Sequence, residues 1–74
     1  MKISVELFGQ LSLASPRRQT LELADGATIG EAAAILRLEV EEIGLITMNG
    51  VQSEIQDALT PNCRLCFFPH ISGG

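Results

Sequence analysis

The 74-residue chain has no tryptophan or tyrosine, only two cysteines, a single histidine and five lysine or arginine residues. Each shortage excludes something. Five cations against nine acids leave a formal charge of −4, which repels a phosphate backbone. Only Arg17-Arg18 makes even a local basic spot, so nucleic acid is not an expected partner. No apolar run reaches the ~20 residues of a membrane span. The N-terminus also lacks the basic region, apolar run and small-residue cleavage site of a secretion signal. The expected location is the cytoplasm, without membrane attachment. The single histidine and two cysteines cannot complete a zinc site, and no metal is expected. Cys63 and Cys66 do form a CxxC, but they fall in a run that reads as a strand, where positions three apart face opposite ways. Reduced, structural thiols are the expectation.

What the chain does have is a globular composition: 46% of its residues are hydrophobic and 19% charged. Its length suits one small domain over residues 1–74, near the lower limit for a self-sufficient core. Lys2 to Phe8 alternates, with Ile3, Val5 and Leu7 on the side expected to face the core, and this period of two predicts a strand. Gly9 to Arg18 loses the alternation and reads as a hairpin connection with Leu11 and Leu13 tucked back. Gln19 to Leu23 resumes as a second strand, with Leu21 and Leu23 inward.

Asp25-Gly26 makes a turn, and Thr28 to Glu31 has the spacing of a capping box, which predicts a helix from Ile29. Ile29, Ala32, Ala33 and Leu36 form its apolar stripe, with small residues that allow close approach to a sheet. A break is expected near Leu38, because Leu38 would otherwise stand on the polar face, with Glu39 to Ile43 as a separate turn. Leu45 to Met48 reads as a strand, Asn49-Gly50 as a hairpin turn and Val51 to Glu54 as its return. Cys63 to Phe68 alternates again, Leu65 and Phe67 inward and Cys66 and Phe68 outward, until Pro69 removes a ladder donor. The predicted fold class is α+β, a β-grasp (ubiquitin-like) arrangement. It has a mixed sheet of four to five strands, the last parallel to the first, and one main helix packed on one face.

Two features remain unspent by the fold. Phe8 and Phe68 share outward parity on strands expected to be neighbours, so together with Cys66 they would form a solvent-facing patch suited to docking a partner. The alternative is that one aromatic curls into the core. The other feature is the ending. Two glycines, Gly73 and Gly74, make a thin, pliable tail over about residues 69–74, able to thread a cleft and deliver a carboxylate. Its chemistry would be acyl activation by ATP; its plain alternative is a frayed terminus.

The ending Phe67-Phe68-Pro69-His70-Ile71-Ser72-Gly73-Gly74 resembles that of the small ubiquitin-like sulfur carriers of the MoaD/ThiS type. Its nearest likeness is to the small subunit of molybdopterin synthase. Leu7-Phe8-Gly9-Gln10-Leu11, Asp25-Gly26-Ala27-Thr28-Ile29 and Met48-Asn49-Gly50 support the likeness in order along the chain. The resemblance implies a carrier that is not itself an enzyme and binds no cofactor. Its partners would be an activating enzyme of the MoeB/ThiF type, which uses ATP to adenylate Gly74 before its conversion to a thiocarboxylate, and a MoaE-type large subunit that spends the sulfur on molybdopterin. Gly73, Ser72 and Ile71 would be the tail residues read by those partners. Two departures stand out. His70 occupies the place of a second proline, and Thr60-Pro61-Asn62 replaces the family's Asp-Gly-Asp turn. His70 is expected to be an exposed side chain without a role; the other reading is a weak pH dependence of docking. Alternatives to the molybdopterin branch are a sister pathway such as thiamine, a protein modifier attached through Gly74, and a non-catalytic binding module.

Overall fold

Alternation in the first strand, β1 (Lys2–Leu7), places Ile3, Val5 and Leu7 in the core as expected, at 3% exposure or less. The computed structural model describes residues 1–13 and 15–71. After β1 the chain makes one 3-10 turn, Gly9–Ser12, closed by the Ser12 hydroxyl donating to the Gly9 carbonyl. Leu11 is buried there, but Leu13, expected to tuck back with it, is 84% exposed. The turn directs only one of its apolar side chains inward. The second strand, β2 (Arg18–Glu22), starts one residue before its predicted position and runs antiparallel to β1, with Ile3 opposite Leu21 and Glu6 opposite Arg18.

Helix α1 (Ile29–Ile35) forms where the capping signal put it. The Thr28 hydroxyl accepts from the Glu31 amide at 3.2 Å. The amides of Ile29 and Gly30 are satisfied by the carbonyls of Asp57 and Ile55, so the loop before the last strand caps the helix from outside. Ile29, Ala32, Ala33 and Leu36 are all buried, and the two alanines let the helix approach the sheet. The helix stops through a Schellman motif: Leu38 N–H donates to Ala33 C=O and Arg37 N–H to Ala34 C=O. Arg37, at φ 60°, holds the left-handed position usually given to glycine. A short 3-10 turn, Val40–Glu42, follows as the separate turn expected there.

Strand β3 (Ile43–Met48) turns at Asn49-Gly50, whose φ values of 54° and 81° fit a type I′ hairpin. Its partner β4 is only Val51–Gln52, shorter than predicted. The last strand, β5 (Arg64–Pro69), inserts in the middle of the sheet, parallel to β1 and antiparallel to β3. The order is β2-β1-β5-β3-β4. One face of this five-stranded mixed sheet carries the core, built from Ile3, Leu7, Leu65, Phe67 and Cys63 with α1 packed over them. The other face carries no helix among the described residues. Among the described residues, no helix is long and apolar enough to cross a membrane.

Candidate docking face and tail root

The helix-free face is the site of interest, because β5 brings its outward residues beside those of β1. Ser4 pairs with Arg64, Glu6 with Cys66 and Leu7 with Phe67, so Phe8, one step beyond β1, meets Phe68. Their rings stack with centroids 4.5 Å apart and planes 10° from parallel. Neither curls into the core. Both are partly buried. The guanidinium carbon of Arg17 lies 5.3 Å from the centre of the Phe8 ring, within cation–π range.

Cys66 has the outward parity expected of it but is not solvent-facing: only 8% of it is exposed. It sits on the central strand, flanked in register by Glu6 on one side and Thr47 on the other, and a small side chain between longer neighbours is shadowed by them. The patch is therefore two aromatics with a covered thiol behind them. Cys63 lies on the opposite, core side. The CxxC thus spans the sheet rather than a turn, and both thiols are free.

Beside the aromatics lies a group that alternation alone did not single out. Glu6 is 6% exposed and serves as the hub of three arginines. Arg64 Nη2 donates to its Oε1 at 3.1 Å, while Arg17 Nε and Arg18 Nε stand 3.6 Å and 3.5 Å from its Oε2. The hydrogen bond from Arg64, aided by the charge of Arg18, holds the Glu6 carboxyl below the ordinary carboxylate range against the opposing effect of burial. Reciprocally, Glu6 strengthens the hold of Arg64 on its proton. The arginine side chains remain largely exposed at their outer surfaces. An acidic protein thus carries one concentrated basic spot, next to its stacked aromatics. The signal available in the sequence was Arg17-Arg18 at the start of β2, which the hairpin register places across from Glu6.

At the upper end of this face the chain leaves the sheet. Pro69 closes β5 opposite Ile43, His70 is exposed and Ile71 is 95% exposed. A shallow, mainly apolar hollow between Gly44, Leu45, Phe68 and Pro69 accompanies it. Ser72, Gly73 and Gly74, expected to be the business end of the tail, lie outside the described residues. No group of three His, Cys, Asp or Glu side chains able to hold a metal occurs among the described residues.

Comparison with protein-family models finds no match, and comparison with curated proteins finds none either. Solved structures are informative. SAMP1 from Haloferax volcanii superposes with a TM-score of 0.80 at 24% identity, over 100% of both chains. A putative molybdopterin converting factor subunit 1 from Pyrococcus furiosus matches at 0.78 and 17%, over 96% of this chain and 99% of that one. A chain from the complex of subunits 1 and 2 of the Helicobacter pylori molybdopterin-converting factor matches at 0.67 and 19%, over 100% of both. With one helix packed on a five-stranded mixed sheet and end-to-end superposition on these proteins, the chain has the β-grasp fold of the ubiquitin-like SAMP and MoaD structures.

Proposed function

We propose that this protein is a sulfur carrier whose Gly74 carboxylate is adenylated and then converted to a thiocarboxylate. The observation that carries the reading is the placement of β5. This central strand ends at the half-buried Pro69 and hands an exposed His70-Ile71 segment out of the sheet directly beside the Phe8–Phe68 stack and the arginine-ringed Glu6. A partner seated on that face would meet the tail at once. The end-to-end likeness to a molybdopterin converting factor subunit 1 supports the same reading.

In this reading an activating enzyme of the MoeB/ThiF type supplies ATP. The carboxylate oxygen of Gly74 attacks the α-phosphorus, pyrophosphate leaves, and a sulfur nucleophile at the oxidation level of sulfide then displaces AMP from the acyl carbon. The acceptor complex is a MoaE-type large subunit that draws on the sulfur for molybdopterin. A two-subunit assembly of this kind is the state of the Helicobacter pylori neighbour. The carrier contributes presentation rather than acid–base chemistry, and the setting is the cytoplasm. Ile71, Ser72 and Gly73 are the tail residues threaded into each partner.

A second reading is favoured by the likeness to small archaeal modifier protein 1, at a TM-score of 0.78 and 21% identity. In it, a lysine amine of another protein takes the activated acyl group in place of sulfur. One experiment separates these readings. The chain is incubated with the activating enzyme of its own source, ATP and a sulfide donor, and its intact mass is recorded beside that of a chain lacking Gly74. Exchange of one oxygen for sulfur, absent from the control, is the expected result. Unchanged mass with an enzyme that charges another carrier refutes the sulfur-carrier reading, and adducts on lysines of added proteins establish the modifier.

A further inference from the structure

Five glycines lie among the described residues, and their surroundings divide them. Gly26 and Gly50 have positive φ and open space where a side chain would stand; they serve turns. Gly30 packs the start of α1 against Ile55. The remaining two, Gly9 and Gly44, are 35 residues apart in sequence (44 − 9) yet both face Pro69, Gly9 its ring and Gly44 the peptide group that joins it to His70. A methyl group on Gly9 would stand 2.8 Å from Pro69 Cγ. On Gly44 it would stand 2.7 Å from the Pro69 carbonyl oxygen, 2.8 Å from His70 Cα and 2.9 Å from His70 N.

Gly44 is the more telling of the pair. Its φ is not in the left-handed region, so backbone conformation does not call for glycine there; only the room does. It also lies within the register shift of the β3–β5 ladder, between Ile43 opposite Pro69 and Leu45 opposite Phe68. A bulge at this point bends β3 where the tail departs. The Pro69 ring is thus enclosed on the Gly9 side and the following peptide group on the Gly44 side, while proline itself fixes its own φ. One residue later, Ile71 is 95% exposed. The boundary between held and free chain falls at His70.

We propose that Gly9 and Gly44 are positioning residues for acyl transfer at Gly74, forming a collar on the Pro69–His70 peptide that sets where the tail starts and how far it reaches. The proposal rests on the carrier reading above. From His70, the four residues Ile71 to Gly74 span at most about 13–14 Å when extended. A partner seated on the Phe8–Phe68 face must therefore place its reacting centre within that radius of the collar. Loosening the collar leaves the docking face intact but scatters the tail's origin.

The test compares the wild-type chain with Gly44→Ala, Pro69→Ala and Gly26→Ala. The last strains a turn in open space and reports the cost of losing any glycine. Two quantities are read: proton–proton contacts between residue 44 and residues 69–70 by NMR, and the kinetics of thiocarboxylate formation with the activating enzyme, ATP and sulfide. Gly44→Ala is expected to lose those contacts and to lower kcat by about ten- to a hundredfold, as misplacement by ~1 Å does, with KM little changed because the docking face is intact. Pro69→Ala, which adds no atoms, is expected to lower kcat in the same sense even if Gly44→Ala fails to fold. Gly26→Ala should be charged at the wild-type rate. Wild-type kcat in a folded Gly44→Ala or in Pro69→Ala overturns the proposal, as does retention of the 44-to-70 contacts. A wild-type chain that is never thiocarboxylated refutes the carrier reading instead, and the NMR contacts then decide the collar alone.

Discussion

Truncating the two stacked aromatics gives a quantitative handle on the proposed docking face. Phe8 and Phe68 are each partly buried, so removing either ring to alanine forfeits a fraction of a full phenylalanine's burial, about 1–2 kcal/mol of folding stability. Phe8→Ala also strips the cation–π contact from Arg17, about 0.5–1 kcal/mol at an exposed site, and should be the costlier of the two. Because the rings lie 4.5 Å apart and nearly parallel, much of what each loses is their shared contact. The double variant should then fall short of the sum by the ~0.5–1.5 kcal/mol typical of aromatic pairs. Urea unfolding of the four chains measures this cycle in the free protein. The same four chains titrated against the activating enzyme measure it in the complex, where loss of an aromatic anchor should weaken binding by about 2 kcal/mol, roughly 30-fold. Folding energies that add within the ~0.3–0.5 kcal/mol seen for distant sites would refute the stack as an energetic unit. Unchanged affinity in all three variants would refute the face as a docking surface.

Two further outcomes follow from the geometry. Glu6 has a folded-state pKa below its ordinary value because Arg64 and Arg18 favour its charged form. Its contribution is therefore present above the ordinary carboxylate range and is lost as pH falls through the lowered value. Glu6→Gln should reduce the unfolding midpoint at neutral pH, where it leaves three arginines facing one another. The gap from wild type should close in acid, and a gap that is constant across a pH series of thermal melts would contradict the assignment. Thr28→Ala removes the hydroxyl that accepts from Glu31 and should cost about 1 kcal/mol in denaturant unfolding, with Thr28→Ser close to wild type.

Much of this architecture was legible because the signals are local. Alternation in Lys2 to Leu7 and the Ile29, Ala32, Ala33, Leu36 stripe each assign a face without knowledge of any other segment, and Asn49-Gly50 announces its own turn. What escaped depends on distant partners. Glu6 sits at an outward position of an alternating strand and reads like any solvated charge; its burial comes from Arg18 across one hairpin and Arg64 from the last strand. Cys66 is outward by parity yet covered, since the shading side chains belong to β1 and β3. Hydrophobicity alone puts Leu13 inward, but it says nothing about where a 3-10 turn points the side chain. The helix stop near Leu38 is legible from the polar-face position of that leucine, although its agent is the left-handed Arg37, a residue type with no preference for that role. In the candidate site, parity alone pairs the two aromatics, whereas the closeness of Gly44 to the Pro69–His70 peptide depends on the bulge in β3.

The parallel pairing of β1 with β5 also governs how the protein responds to force. In a parallel pair, the start of one strand and the end of the other lie at opposite ends of the ladder, so tension applied between the N-terminus and Ile71 slides the strands along each other. All the β1–β5 hydrogen bonds, and those flanking them from Ser4 to Cys63 and from Phe8 to Phe67, then share the load together instead of opening one at a time. Stretched between these two points, the chain accordingly keeps its central strand seated until the whole β1–β5 ladder gives way at once.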